Sequence, residues 1–454
     1  MKLIHWIVFL LGAFIYGGSC LKVEFNGDQV LQIIPQTAKH AEYIQEFTQN
    51  WQLDLWKPND PERIHAGQEV HVQIPSFHLN KIKNTLLQYN IPYSVLINDV
   101  QQLIDAKAVN KKNMKPMSLD TFDYTKYHPM DEIYKWSHQI QAAYPDLVTL
   151  NILGSTYEAR PIYYFKIGLP SKKNKKVIWM DCGIHAREWI SVAFCQWFIR
   201  ELLEHHNHNK VIKKALENAD FYIVPVINID GFVYSWTTNR LWRKTRSPHN
   251  NGTCFGVDLN RNFDSSWCSI GASRDCSTNT FCGPRPFSEP EADAVQQLVN
   301  SLKSDILCYL TMHSYGQYIL LPYGFTLNYS EHHEELMSVG EKSAESVAAM
   351  HGKKYVVGPA SHALYSNAGS SMDWAHDIGI SLAYTIELRD NGTYGFVLPE
   401  DQIKPNCEEA TAGVLSIMEY INKNHFSSAS RIFSGTLWIN LSFSVLVGLH
   451  QALF

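Results

Sequence analysis

Val177-Ile178-Trp179-Met180-Asp181-Cys182-Gly183-Ile184-His185-Ala186-Arg187-Glu188-Trp189 is the stretch on which the fold turns. Residues 177–180 form a short apolar run after a lysine-rich segment, the pattern of a buried strand. His185 follows just past that strand, at the C-terminal edge of a sheet, where α/β proteins place their sites. His and Glu are good zinc ligands, and a spacing of three lets His185 and Glu188 reach one ion from a strand end into a helix. The pair means little alone, since a chain with 20 histidines should contain about one such spacing by chance. The cluster His332-His333-Glu334-Glu335 has similar letters but sits on a helix face of solvated character and reads as no metal site.

Position separates the two. Cys308-Tyr309-Leu310-Thr311-Met312-His313-Ser314-Tyr315 is a second apolar strand ending in histidine. His185, Glu188 and His313 would leave zinc a fourth position for water. The competing reading of His313 is a hydrogen-bonded core histidine.

Outward from these strands, residues 127–426 read as one large α/β domain. Further strands are expected at 221–226, 306–312 and 382–387, and helices at 188–205, 289–302, 332–351 and 408–422. Residues 21–110 read as a separate small domain, with helices at 38–51 and 77–89 and strands at 69–74 and 93–97. It has no cysteine and no cluster of ligand-type residues, which suits inhibition, folding or targeting better than catalysis. Asn110-Lys111-Lys112-Asn113-Met114-Lys115-Pro116 joins the two as an exposed linker open to a trypsin-like protease.

Both ends carry signals of another kind. Lys2, the apolar run 3–16 and the small residues 17–20 match a secretory signal peptide. Ser427-Ser428-Ala429-Ser430, a short spacer and the apolar tail 437–454 match a GPI-attachment signal that is removed on transfer to lipid. Nine cysteines in a secreted chain should mostly pair. Six cluster between 182 and 282, while Cys308 and Cys407 read as free buried thiols. Asn251, Asn328 and Asn391 open glycosylation tripeptides. A net charge of −5 with no basic field excludes nucleic acid as a partner.

His185-Ala186-Arg187-Glu188-Trp189-Ile190, Thr238-Asn239-Arg240-Leu241-Trp242-Arg243-Lys244, Gly256-Val257-Asp258-Leu259-Asn260-Arg261-Asn262, His313-Ser314-Tyr315 and Ile386-Glu387-Leu388-Arg389-Asp390 resemble, in order, the pancreatic-type (A/B) zinc metallocarboxypeptidases. The resemblance implies a mixed central β-sheet flanked by helices, preceded by a small α+β, ferredoxin-like pro-domain. It divides the chain into a signal peptide (1–20), pro-domain and linker (21–112), catalytic domain (113–426) and removed anchor signal (427–454). His185, Glu188 and His313 would hold one zinc ion. Glu387 would be the general base on zinc-bound water, rather than a structural carboxylate paired with Arg389. Arg243 would stabilise the oxyanion. Asn260, Arg261 and Tyr365 would bind the free terminal carboxylate, and Arg187 would line the approach to the scissile bond. By the same resemblance, Cys182 pairs with Cys195, Cys254 with Cys276, and Cys268 with Cys282.

The residue deep in the side-chain pocket should be Met372, with Leu320, Gly324, Ala360, Asn367 and Thr385 around it. These neutral walls imply peptides and proteins ending in neutral or hydrophobic residues. The GPI-like tail and Tyr394-Gly395-Phe396-Val397-Leu398-Pro399-Glu400 resemble the carboxypeptidase O branch, which is associated with a basic pocket residue and acidic C-termini. Met372 departs from that pattern. The remaining alternatives are an inactive peptide-binding relative and an endopeptidase or amidase. Arg261 argues against the last, since an internal bond offers no carboxylate to pair. The expected location is the cell surface, through a GPI lipid anchor, or secretion.

Overall fold

The computed structural model describes residues 22–106 and 118–426. The signal and anchor segments, and the linker 110–116 with its basic residues, lie outside the described residues.

The small domain runs β1 (Gln29–Ile33), α1 (Ala38–Asn50), β2 (Asp54–Lys57), β3 (Val70–Ile74), α2 (Ser76–Gln88), β4 (Tyr93–Ile97) and α3 (Val100–Asp105). Its four strands form an antiparallel sheet in the order β2-β3-β1-β4, a ferredoxin-like arrangement. Strand alternation explains its two faces. Val70, Val72 and Ile74 of β3 pack with Ile44 and Phe47 of α1 and Ile82 and Leu86 of α2. His71, one residue out of phase, points the other way and meets Tyr315 of the large domain. Two of the four strands, β1 and β2, were not among the expected ones. Each is short and carries polar ends, so neither has a strong apolar period.

The large domain continues with α4 (Met130–Ala143), β5 (Val148–Ser155), β6 (Pro161–Ile167), β7 (Lys176–Cys182), α5 (Trp189–His205), α6 (Lys210–Asn218), β8 (Ala219–Val224) and α7 (Ile229–Thr237). Two short strands follow, β9 (Pro248–His249) and β10 (Cys254–Phe255), then α8 (Pro290–Leu302), β11 (Ile306–Ser314), β12 (Tyr318–Leu321), α9 (His333–His351) and β13 (Val356–Pro359). The chain ends in α10 (Ala360–Ala363), α11 (Ser371–Asp377), β14 (Leu382–Leu388) and α12 (Ile403–Asn424). Eight strands form one mixed sheet in the order β13-β12-β14-β11-β7-β8-β6-β5. The central strands β14, β11, β7 and β8 run parallel. Such strands are covered on both faces and read as continuous apolar runs, which is why Val177, Ile178, Trp179 and Met180 are all buried.

α12 begins earlier than expected, at Ile403 rather than Glu408. Pro405 occupies its first turn, where its missing N–H costs nothing. The three expected disulfides are formed, and Cys308 and Cys407 are free and buried. Among the described residues no helix is long and apolar enough to cross a membrane.

The sheet of the small domain lies against the mouth of the large one. Phe25, Val30, Trp56, Ile97, Val100 and Ile104 share one apolar cluster with Leu241, Tyr315, Phe396 and Val397.

Candidate metal and peptide site

Three parallel strands deliver the key side chains at their C-terminal ends. β7 runs into Gly183, whose φ of +66° turns the chain so that His185 faces inward. A Cβ there would also come within 2.9 Å of Val192, so glycine is needed twice over. His313 lies near the end of β11 and Glu387 near the end of β14, and the two are direct partners across the parallel pair.

His185, Glu188 and His313 are buried, and their ligand atoms all lie within 4.8 Å of one another. His185 Nδ1 is 2.7 Å from Glu188 Oε1, and His313 Nδ1 is 3.2 Å from Glu188 Oε2 and from His185 Nδ1. Two ring nitrogens and a carboxylate converging without intervening donors form a cage suited to a divalent cation. Each ring's other nitrogen is already engaged: His185 Nε2 faces Asp258 Oδ1 at 3.1 Å, and His313 Nε2 faces Thr311 Oγ1 at 3.2 Å. The residues present therefore fit a zinc ion held through the two Nδ1 atoms and Glu188. The look-alike cluster at 332–335 forms no such cage; His332 makes only looser pairs with Glu331 and Glu335 at the surface.

Glu387 lines the same cavity as the cage. Enclosure and the nearby Glu188 push its carboxyl up to about 8, although His185, Arg243 and Arg261 oppose the shift. A divalent cation in the cage would pull it back toward the carboxylate. The alternative pairing with Arg389 is not formed: Arg389 binds Glu409 through Nε (2.8 Å) and Nη2 (2.5 Å).

Arg243 is fixed by Asp258, whose Oδ2 accepts from Nε at 3.2 Å and Nη2 at 2.9 Å. Burial alone would raise the Asp258 carboxyl, but Arg243, Arg261 and His185 hold it well below its usual range. Asp258 thus contacts both His185 of the cage and Arg243. Asn260 Oδ1 accepts from the Ser371 amide at 2.9 Å. Arg261 donates Nε to the Gly271 carbonyl and Nη1 to the Asn260 carbonyl, which leaves Nη2 facing the cavity. Enclosure pushes the Tyr365 phenol up to about 12, so it remains a proton donor at neutral pH. Leu320, Ala360, Asn367, Ser370, Met372 and Thr385 complete the wall with neutral side chains.

The structure gathers the residues expected at the site except Gly324, which packs behind Asn367 without lining the cavity, and Arg187. The Arg187 side chain is fully buried beneath the small domain, stacked on Phe396 at 3.9 Å and donating to Asp54 Oδ2 at 2.7 Å. Trp56 and Lys57 of the small domain also line the cavity. Beside them is Asn59, a residue the sequence had not singled out. With its carboxamide oxygen turned toward the guanidinium groups, it accepts from Arg261 Nη2 at 3.0 Å, Tyr365 Oη at 3.2 Å and Arg243 Nη2 at 3.3 Å. A polar loop residue gives no sign of such a role until the two domains are seen together. Asp258 stood in the sequence only as part of a motif, and its buried position between Arg243 and His185 emerges only in the fold.

Residues 133–413 match the zinc carboxypeptidase family, and residues 31–107 match the carboxypeptidase activation peptide. Carboxypeptidase O of Homo sapiens is 56% identical over 348 residues, covering 76% of this chain and 91% of the relative. Carboxypeptidase B of Homo sapiens is 38% identical over 398 residues, covering 88% and 94%. Among solved structures, thrombin activatable fibrinolysis inhibitor is similar with a TM-score of 0.83 and 39% identity, covering 88% of this chain and all of that one.

Proposed function

The chain belongs to the zinc carboxypeptidase family, and on that premise we propose that it removes single neutral or apolar residues from peptide C-termini. It is a metallocarboxypeptidase with an activation peptide. The observation carrying the finer reading is the placement of Asn260, Arg261, Tyr365 and Met372 around one cavity with Glu387 and the metal cage.

A terminal carboxylate pairs with Arg261 and accepts from Asn260 and the neutral Tyr365 phenol. This anchors the last residue and sets its peptide carbonyl near Arg243. The substrate side chain then extends toward Met372, Leu320 and Ala360, where no charge compensates a lysine, arginine or acidic terminus. His185, Glu188 and His313 would hold a zinc ion, which would supply Lewis-acid polarisation of the carbonyl and a lower pKa for water. Glu387 takes the proton from the attacking water and passes it to the leaving amine. Arg243, clamped by Asp258, donates to the oxygen as negative charge develops on it.

The activation peptide acts as a lid in this reading. Asn59 takes the hydrogen bonds that a substrate carboxylate would receive, and Asp54 holds Arg187, which otherwise meets the peptide upstream of the scissile bond. The signal and anchor segments of the sequence support delivery through the secretory pathway to the cell surface by a GPI anchor.

The test is a C-terminal residue scan on synthetic peptides, each as free acid and as amide. Apolar free acids should be cleaved best, amides poorly, and Met372→Asp should gain activity toward Lys and Arg. Preference of the unmutated enzyme for Glu or Asp termini would overturn the pocket reading in favour of the acidic one.

A further inference from the structure

One buried carboxylate has no part in the chemistry above. Asp181, on β7, is 1% exposed and lies directly across from Thr311 on β11. The Thr311 hydroxyl is 2.7 Å from Asp181 Oδ1, and the indole Nε1 of Trp179 donates to Oδ2 at 2.8 Å. Thr311 and His313 stand two residues apart on one strand, so both side chains project to the same face, and His313 Nε2 is 3.2 Å from the same hydroxyl.

A threonine hydroxyl has one proton to give and can accept from another donor. If it gives that proton to Asp181, its oxygen is left to accept from His313. The ring must then carry its proton on Nε2, which leaves a lone pair on Nδ1, the nitrogen that faces Glu188 and His185. Reversing the chain would put the proton on Nδ1 and spoil the cage. Burial holds the Asp181 carboxyl above its usual range against the opposing pull of its donors. It is the geometry that makes it an acceptor: the indole N–H can only donate to Oδ2, and the Thr311 hydroxyl lies against Oδ1.

We propose that Asp181 and Thr311 are positioning residues that fix the tautomer and orientation of His313 for zinc, as Asp258 does directly for His185. One histidine is thus tethered by a carboxylate at first hand and the other through a hydroxyl relay. Outer contacts of this kind typically affect metal affinity by roughly 10–100-fold.

The inference rests on the metal site assigned above, and the experiment separates the two. Zinc affinity of the full chain is measured by chelator competition, together with the visible absorption of the cobalt-substituted protein, for Thr311→Val, Thr311→Ser, Asp181→Asn and His313→Ala. Thr311→Val keeps the shape and loses the hydroxyl, so zinc should bind roughly 10–100-fold more weakly and the cobalt spectrum should shift. Thr311→Ser should restore both to within about threefold of the parent, which a packing role would not do. Asp181→Asn retains an oxygen without the charge and should fall between, which keeps the test alive if the valine variant does not fold. Parental affinity and an unshifted spectrum in Thr311→Val, alongside loss of zinc in His313→Ala, would overturn the relay and leave the metal site standing. Zinc retained by His313→Ala would overturn the site itself.

Discussion

Asn59 offers the sharpest test of the lid. Its oxygen meets Arg261 Nη2, Tyr365 Oη and Arg243 Nη2 at 3.0, 3.2 and 3.3 Å. Hydrogen bonds to charged donors contribute about 1.5–3 kcal/mol each, but water takes their place once the small domain lifts. A net loss of about 2 kcal/mol for Asn59→Ala is a reasonable figure, which is roughly a 30-fold rise in the fraction of open, uncleaved chain. Asn59→Asp should act in the opposite sense. A carboxylate 3 Å from a guanidinium gains about 5 kcal/mol at an effective dielectric of 20, and desolvation cancels most of it. The assay is hydrolysis of a small free-acid peptide by the intact chain, normalised to the same preparation after the small domain is released. Background activity should rise in the alanine variant and fall in the aspartate variant, with equal activity after release. Identical background in both variants would refute the claim that Asn59 occupies the carboxylate position.

Glu387→Gln should lower kcat by about 10²–10⁴-fold while zinc content is unchanged, and a loss under tenfold would remove it as the base. Arg261→Gln should cost free-acid peptides far more than their amides, so that the acid-to-amide ratio collapses; an unchanged ratio would contradict carboxylate pairing. Glu291 is fully buried, and burial, then Glu289, raise its carboxyl from 4.5 to about 8. The folded state therefore holds a proton between pH 4.5 and 8 that the unfolded chain has released, so stability falls as pH rises through that window. Thermal melting of Glu291→Gln should show less of this decline, by on the order of 1 kcal/mol per pH unit; parallel curves for both proteins would exclude it.

The site was legible in the sequence because its residues sit at or just beyond the ends of apolar strands. β7, β11 and β14 are recognisable from residues 177–180, 306–312 and 382–387; His185 and His313 follow the first two within a few positions, and Glu387 ends the third. Asp181 and Thr311 were not legible as a pair, since only strand register brings them together across 130 residues. Asn59 was hidden for a related reason: its partners lie on another domain. β1 and β2 escaped because Gln29, Gln32, Asp54 and Lys57 interrupt their apolar pattern, while the helices of the same domain kept a clear 3.6-residue period.

The apolar cluster shared by the two domains has an effect that outlasts activation. While the precursor is whole, Leu241, Tyr315, Phe396 and Val397 are covered by Val30, Trp56 and their neighbours. Departure of the small domain leaves these four as an uncovered greasy margin beside the working cleft, and each had contributed up to about 1.5–3 kcal/mol by being dry. If the small domain is released as proposed, the freed enzyme should melt at a lower temperature and self-associate more readily than the intact chain.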